Sequence, residues 1–151
     1  MQTVRALFIA AALGALSSCA DDGPPPAEFI GEPGPVVSFD RTSYSWDRDR
    51  NATWLVANPL GVNAFYYPGD AVFLEHWAQD HWEPIYPYGG LEAEPVRLGA
   101  SDSLSDSLRL TANLFPRSGW YRLHTQLYRD SALTQHWPVG NSVSAAVWVG
   151  P

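Results

Sequence analysis

"FPRSGWYRLHTQLY", residues 115 to 128, is the stretch on which the reading of this chain turns. Pro116 to Gly119 mark a turn, because proline and glycine are the strongest local breakers of regular structure. Beyond them Tyr121, Leu123, Thr125 and Leu127 alternate with Trp120, Arg122, His124, Gln126 and Tyr128. A period of two is that of a strand, so the first set is expected on the core side. The second set then faces outward or toward a neighbouring element.

Working outward, the same rhythm recurs. Short alternating runs separated by turn residues every eight to twelve positions are the signature of a sandwich or barrel, and they predict an all-β fold. Strands are expected at 36–39 with a continuation to 46, then at 52–58, 62–66, 71–77, 82–86, 95–98, 107–114, 120–128 and 142–149. "SDSLSDSLRL", residues 101 to 110, reads as a strand entered from a polar loop, with Leu104, Leu108 and Leu110 carrying the pattern. Tyr121, at the head of its strand, can return its hydroxyl to the preceding corner, as tyrosines of β-sandwiches do.

"LEHWAQDHWEPI", residues 74 to 85, predicts a hairpin. A loop of Gln79-Asp80, or of the four residues Ala78 to His81, sets Trp77 opposite Trp82, His76 opposite Glu83 and Leu74 opposite Ile85. A three-residue loop, 78–80, sets Glu75 opposite Glu83, and like charges across a ladder destabilise it by up to about 1 kcal/mol. The first register is therefore favoured. It gathers Phe73, Trp77, Trp82 and Tyr86 on one face and His76, His81 and Glu83 on the other. The expected outcome is a packed aromatic face, a His76 to Glu83 cross-strand pair and no bound metal.

Three stretches together resemble a bacterial immunoglobulin-like domain of secreted and lipid-anchored proteins. They are "WLVANPL" (54–60), "VFLEHWAQDHWEPI" (72–85) and "FPRSGWYRLHTQLY", and the resemblance spans about residues 36–149. It implies an immunoglobulin-like antiparallel β-sandwich. The turn at 78–80 departs from the pattern in having no glycine.

The amino terminus points to an address. Arg5, an apolar run from Ala6 to Leu13 and small residues before a cysteine form a secretory signal too short to span a bilayer. Leu16-Ser17-Ser18-Cys19 resembles the lipobox of bacterial lipoproteins, and Cys19 is the chain's only cysteine. That resemblance implies cleavage after Ser18 and lipid attachment at Cys19, so the membrane is a partner through this anchor. Residues 1–18 are then the signal peptide, 19–35 the lipidated cysteine and a proline-rich tether, and 36–151 the domain. A tether of this composition could lift the domain roughly 50 Å from the bilayer, at about 3.1 Å per residue. Ala20 after the cysteine favours the outer membrane where the host has one.

Composition removes several classes of function. With the signal gone, eight arginines face sixteen acids, a net charge of −8, and the chain has no lysine. No basic stripe is available for phosphate backbones, so nucleic acid is not an expected partner, and lysine chemistry is excluded. With one cysteine there is no disulfide within the chain, and the fold must rest on its core. No nucleophile elbow, Cys-His pair, His-Glu-x-x-His or phosphate loop occurs. Asp47-Arg48-Asp49-Arg50 alternates in sign and reads as a self-paired exposed loop rather than a calcium site. The expectation is a non-enzymatic envelope protein without cofactor, used for binding or structural contact with an envelope protein or glycan. The candidate ligand-binding aromatics are Trp77, Trp82, Tyr86 and Tyr88, which could stack on a sugar or another small ligand; a metal-binding module is the remaining alternative.

Overall fold

The structure is a computed structural model that describes residues 25–26, 29–67, 72–88 and 94–151, with residues 86–88 described by their backbone alone. It is all-β, built of several sheets. In chain order the strands are β1 (Val36–Phe39), β2 (Ser43–Ser45), β3 (Asn51–Ala57), β4 (Ala64–Tyr66), β5 (Val72–Ala78) and β6 (His81–Tyr88). They continue with β7 (Val96–Leu98), β8 (Ser103–Arg109), β9 (Gly119–His124) and β10 (Leu127–Tyr128). One helical turn, α1 (Val139–Ser142), precedes β11 (Val147–Gly150).

Among the described residues three sheets form, with orders β1-β3-β8, β10-β4-β7 and β2-β11-β9-β5-β6. Every pairing is antiparallel except that of β2 with β11, which is parallel. Alternation in the sequence dictates the faces. In β3, Ala52, Trp54 and Val56 are buried while the residues between them are half-buried; in β5, Val72, Leu74 and His76 are buried in the same way. All three sheets contribute to one core, in which Trp54, Leu98, Leu108, Tyr121, Leu123 and Val149 are almost wholly enclosed. Each such side chain contributes about 1.5–3 kcal/mol of hydrophobic stabilisation.

The 115–128 stretch folds as its pattern requires. Tyr121, Leu123, Thr125 and Leu127 are all buried, and the Tyr121 hydroxyl donates to the Arg117 carbonyl across the preceding corner at 2.5 Å. The expected single strand at 120–128 is divided, however. The Thr125 amide donates to Ser142 at 2.9 Å, and the chain then passes from the five-stranded sheet into the β10-β4-β7 sheet. The strand expected at 142–149 is correspondingly short: Ser142 ends α1, Val143 makes only an isolated bridge to His124, and β11 begins at Val147. Even so, Ser144 still bonds both ways with Leu123, its amide to the Leu123 carbonyl and its hydroxyl from the Leu123 amide.

Strand β8 runs over 103–109 rather than 107–114. Leu104 and Leu108 stand opposite Val56 and Ala52, so the leucines of the serine-rich run fix the ladder earlier than expected. Asp49 binds Arg41 at 2.9 Å and accepts the Ser45 amide, so the exposed loop is closed by Arg41 and not by its own arginines.

The proline-rich segment does not stay free up to residue 35. Asn141, 1% exposed, accepts the Glu32 amide and donates to the Glu32 and Pro35 carbonyls at 2.8–2.9 Å. Gly34 lies beneath the Trp137 ring, where a Cβ would approach to 2.7 Å. Backbone polar groups that leave water must find partners, and one buried amide supplies three bonds here. Residues 31–35 therefore form a strap on the domain.

Candidate functional site

The hairpin carries most of the candidate residues, and its register is the one with a Gln79-Asp80 loop. Trp77 pairs with Trp82, His76 with Glu83 and Ala78 with His81. Gln79 and Asp80 have φ of 51° and 63°, the left-handed pair of a two-residue turn whose twist matches that of the strands. The Leu74 to Ile85 pairing does not occur. A bulge between Leu74 and Glu75 places Leu74 opposite Tyr86 and Glu75 opposite Pro84, leaving Ile85 as the extra residue. Pro84 cannot donate to a ladder, and β6, with Pro84 and Pro87, is an edge strand. The bulge thereby breaks the continuous register that grouped Tyr86 with Trp77 and Trp82. The side chains of Tyr86 and Tyr88 lie outside the described residues, as does Cys19.

Trp77 and Trp82 point away from the core. Their rings meet edge to face at 5.2 Å, and both are half-buried. On the same sheet Trp120 pairs with Trp148, again edge to face, at 5.5 Å. The β5–β9 register aligns Glu75 with Arg122 and His76 with Tyr121, so the next step along the ladder aligns Trp77 with Trp120. Two cross-strand tryptophan pairs, one on β5 and β6 and one on β9 and β11, thus lie on the same sheet, and continuing the β5–β9 register would set them in one row. Cross-strand aromatic pairs of this kind each contribute roughly 0.2–1 kcal/mol. Trp120 and Trp148 are legible in the sequence as outward residues of their strands, but nothing local announces that they share a row with the hairpin.

Beside this row Arg122 and Glu75 form an ion pair, their side chains only 9% and 15% exposed. The Arg122 guanidinium lies 4.3 Å from the Trp82 ring centre and 5.5 Å from that of Phe29. Cation–π contact to two rings holds the group that neutralises Glu75. A cleft of about 400 Å³ opens here, lined by Pro25, Pro26, Phe29, Trp82, Arg122 and the stretch 143–146. Phe29 and Arg122 belong to this site although both lie outside the hairpin motif.

His76 lies on the opposite face, 5% exposed, with its ring 4.9 Å from that of Tyr121. Its expected side-chain pairing with Glu83 gives way to this packing, and Glu83 instead contacts His81 at 3.4 Å. Among the described residues no three His, Cys, Asp or Glu side chains stand together to hold a metal ion.

Burial, with Arg117 nearby, holds His76 below the ordinary histidine value against the weaker pull of Glu83. Burial also lowers His124, with Glu75 opposing and Arg122 assisting. Both histidines are thus less protonated folded than unfolded. The stability they confer is complete above the unfolded value of about 6.5 and is lost as pH falls through their lower folded values. Asp49 and Asp130 also have lowered values, but their contributions fade only as pH drops below the ordinary carboxylate value of about 3.9. Urea midpoints should therefore fall between about pH 7 and pH 5, with a shallower fall in His76→Gln. A flat profile over that window in the parent protein would contradict the assignment.

No protein-family model and no curated protein matches the chain. Among solved structures the chain is similar to β-glucosidase from Listeria innocua in complex with isofagomine, at 15% identity and a TM-score of 0.33. It is likewise similar to a crystal structure of β-glucosidase from Listeria innocua at 14% identity and a TM-score of 0.32. Each match covers 78% of this chain and 16% of the glucosidase chain, a likeness that assigns neither fold nor activity.

Proposed function

We propose that this is a lipid-anchored protein of the bacterial cell envelope whose immunoglobulin-like sandwich serves binding or structural contact rather than catalysis. The observation that carries the reading is Leu16-Ser17-Ser18-Cys19, a lipobox pattern ending in the sole cysteine. The sandwich reading draws support from the split between β1 and β2. The chain pairs first with β3 in one sheet and then, in parallel, with β11 in the other, around a shared core. The non-catalytic reading draws support from how the hairpin's ionisable groups are used, since His76 packs on Tyr121 and Glu75 is bound by Arg122. Ala20 after the cysteine favours attachment at the outer membrane, where the host has one.

Cys19→Ala tests the anchor. The thioether forms on that sulfur, so the variant should lose label from a radioactive fatty acid and accumulate as precursor. Equal labelling of variant and parent would sink the proposal. The row of Trp77, Trp82, Trp120 and Trp148 beside the cleft favours a second reading, in which this face binds a glycan or another small ligand. A glycan array on which the folded protein gives no more signal than a denatured control would count against it.

A further inference from the structure

We propose that the domain docks on the bilayer surface through an apolar patch of Phe29, Ile30 and Val139; this rests on the Cys19 anchoring proposed above. Ile30 is 94% exposed, and Phe29 and Val139 are each 44% exposed. Isolated apolar residues on a surface need no explanation, but these three lie on two segments whose backbones touch. The Ile30–Gly31 peptide lies against Gly140, so closely that a Cβ on Gly140 would meet the Ile30 carbonyl carbon at 2.3 Å, and Val139 is the next residue.

The patch is fixed to the domain. Asn141 holds the Glu32 backbone through both its amide and carbonyl, and Phe29 lies against the Arg122 guanidinium. Glu32, immediately beyond the patch, is paired with Arg129 at 2.6 Å, so this described acid has a counter-charge. The distance to the anchor is short. Pro25, which already lines the cleft with Phe29, is six residues from Cys19. Six residues span at most about 22 Å fully extended. A lipid on Cys19 therefore keeps this end of the domain near the headgroups, where burial of a few apolar side chains adds to the acyl chains' hold. The mature net charge of −8 offers no polybasic attraction to an anionic surface, so apolar insertion is the means of contact.

The test uses the full lipidated protein. Lipid blocks the Cys19 sulfur, so Ile30→Cys supplies a single reactive thiol for an environment-sensitive fluorophore, and Leu60→Cys supplies a control at another exposed apolar position. In vesicles of phosphatidylethanolamine and phosphatidylglycerol, the probe at position 30 should shift to the blue and be quenched by a shallow spin-labelled lipid. The probe at position 60 should remain water-like. A water-like probe at position 30 in protein whose intact mass includes the lipid would overturn the docking and leave the anchoring standing. Absence of lipid from the intact mass would overturn the anchoring, and the docking with it. An apolar signal at position 30 in native envelopes but not in pure lipid vesicles would assign the patch to a protein partner and overturn the bilayer contact.

Discussion

Gly119→Val is expected to lower the stability of the domain by about 3 kcal/mol, through overpacking that typically costs 1–3 kcal/mol together with backbone strain. A Cβ at this position would come within 2.5 Å of His76 Nε2, and His76 is packed against Tyr121 and cannot swing aside into solvent. The φ of +158° lies at the margin of the region that L-residues avoid, so the steric conflict outweighs the strain. Urea denaturation measures the change. Adding His76→Ala should recover part of the loss, because it removes the ring that the new side chain meets. An unchanged midpoint in the single variant would mean that β5 and β9 are not packed as described.

Arg122→Met should cost about as much, for an electrostatic reason. Glu75 would keep a carboxylate only 15% exposed with its counter-ion gone, and breaking a buried pair typically costs about 3–5 kcal/mol. The double variant Arg122→Met, Glu75→Gln should regain most of the loss, since the orphaned charge is then absent. Failure of the second change to rescue the first would show that the guanidinium matters chiefly through its contacts with Trp82 and Phe29.

How far the sequence reveals these features depends on the range of the forces that make them. Alternation places Tyr121, Leu123 and Thr125 on the buried face because one-sided burial acts within a single strand. The hairpin register is legible because the like charges of Glu75 and Glu83 penalise the alternative locally. Its bulge is not legible in the same way, although Pro84 stands within the motif, because the cost of a missing donor depends on which strand neighbours it. The tryptophan row is hidden for a related reason. Trp77 and Trp82 are close in sequence, but Trp120 and Trp148 join them only through the order of β9 and β11 in the sheet. The strap reads as a free tether because its composition is that of a linker. Its attachment comes from Asn141, more than a hundred residues away, for which the segment contains no signal.

The direct test of the anchored-envelope account is the mass of the amino-terminal peptide from protein extracted from its host's membranes. The account predicts that this peptide begins at Cys19 and carries a diacylglycerol thioether. A peptide that begins elsewhere, or an unmodified Cys19 in membrane-extracted protein, would contradict it.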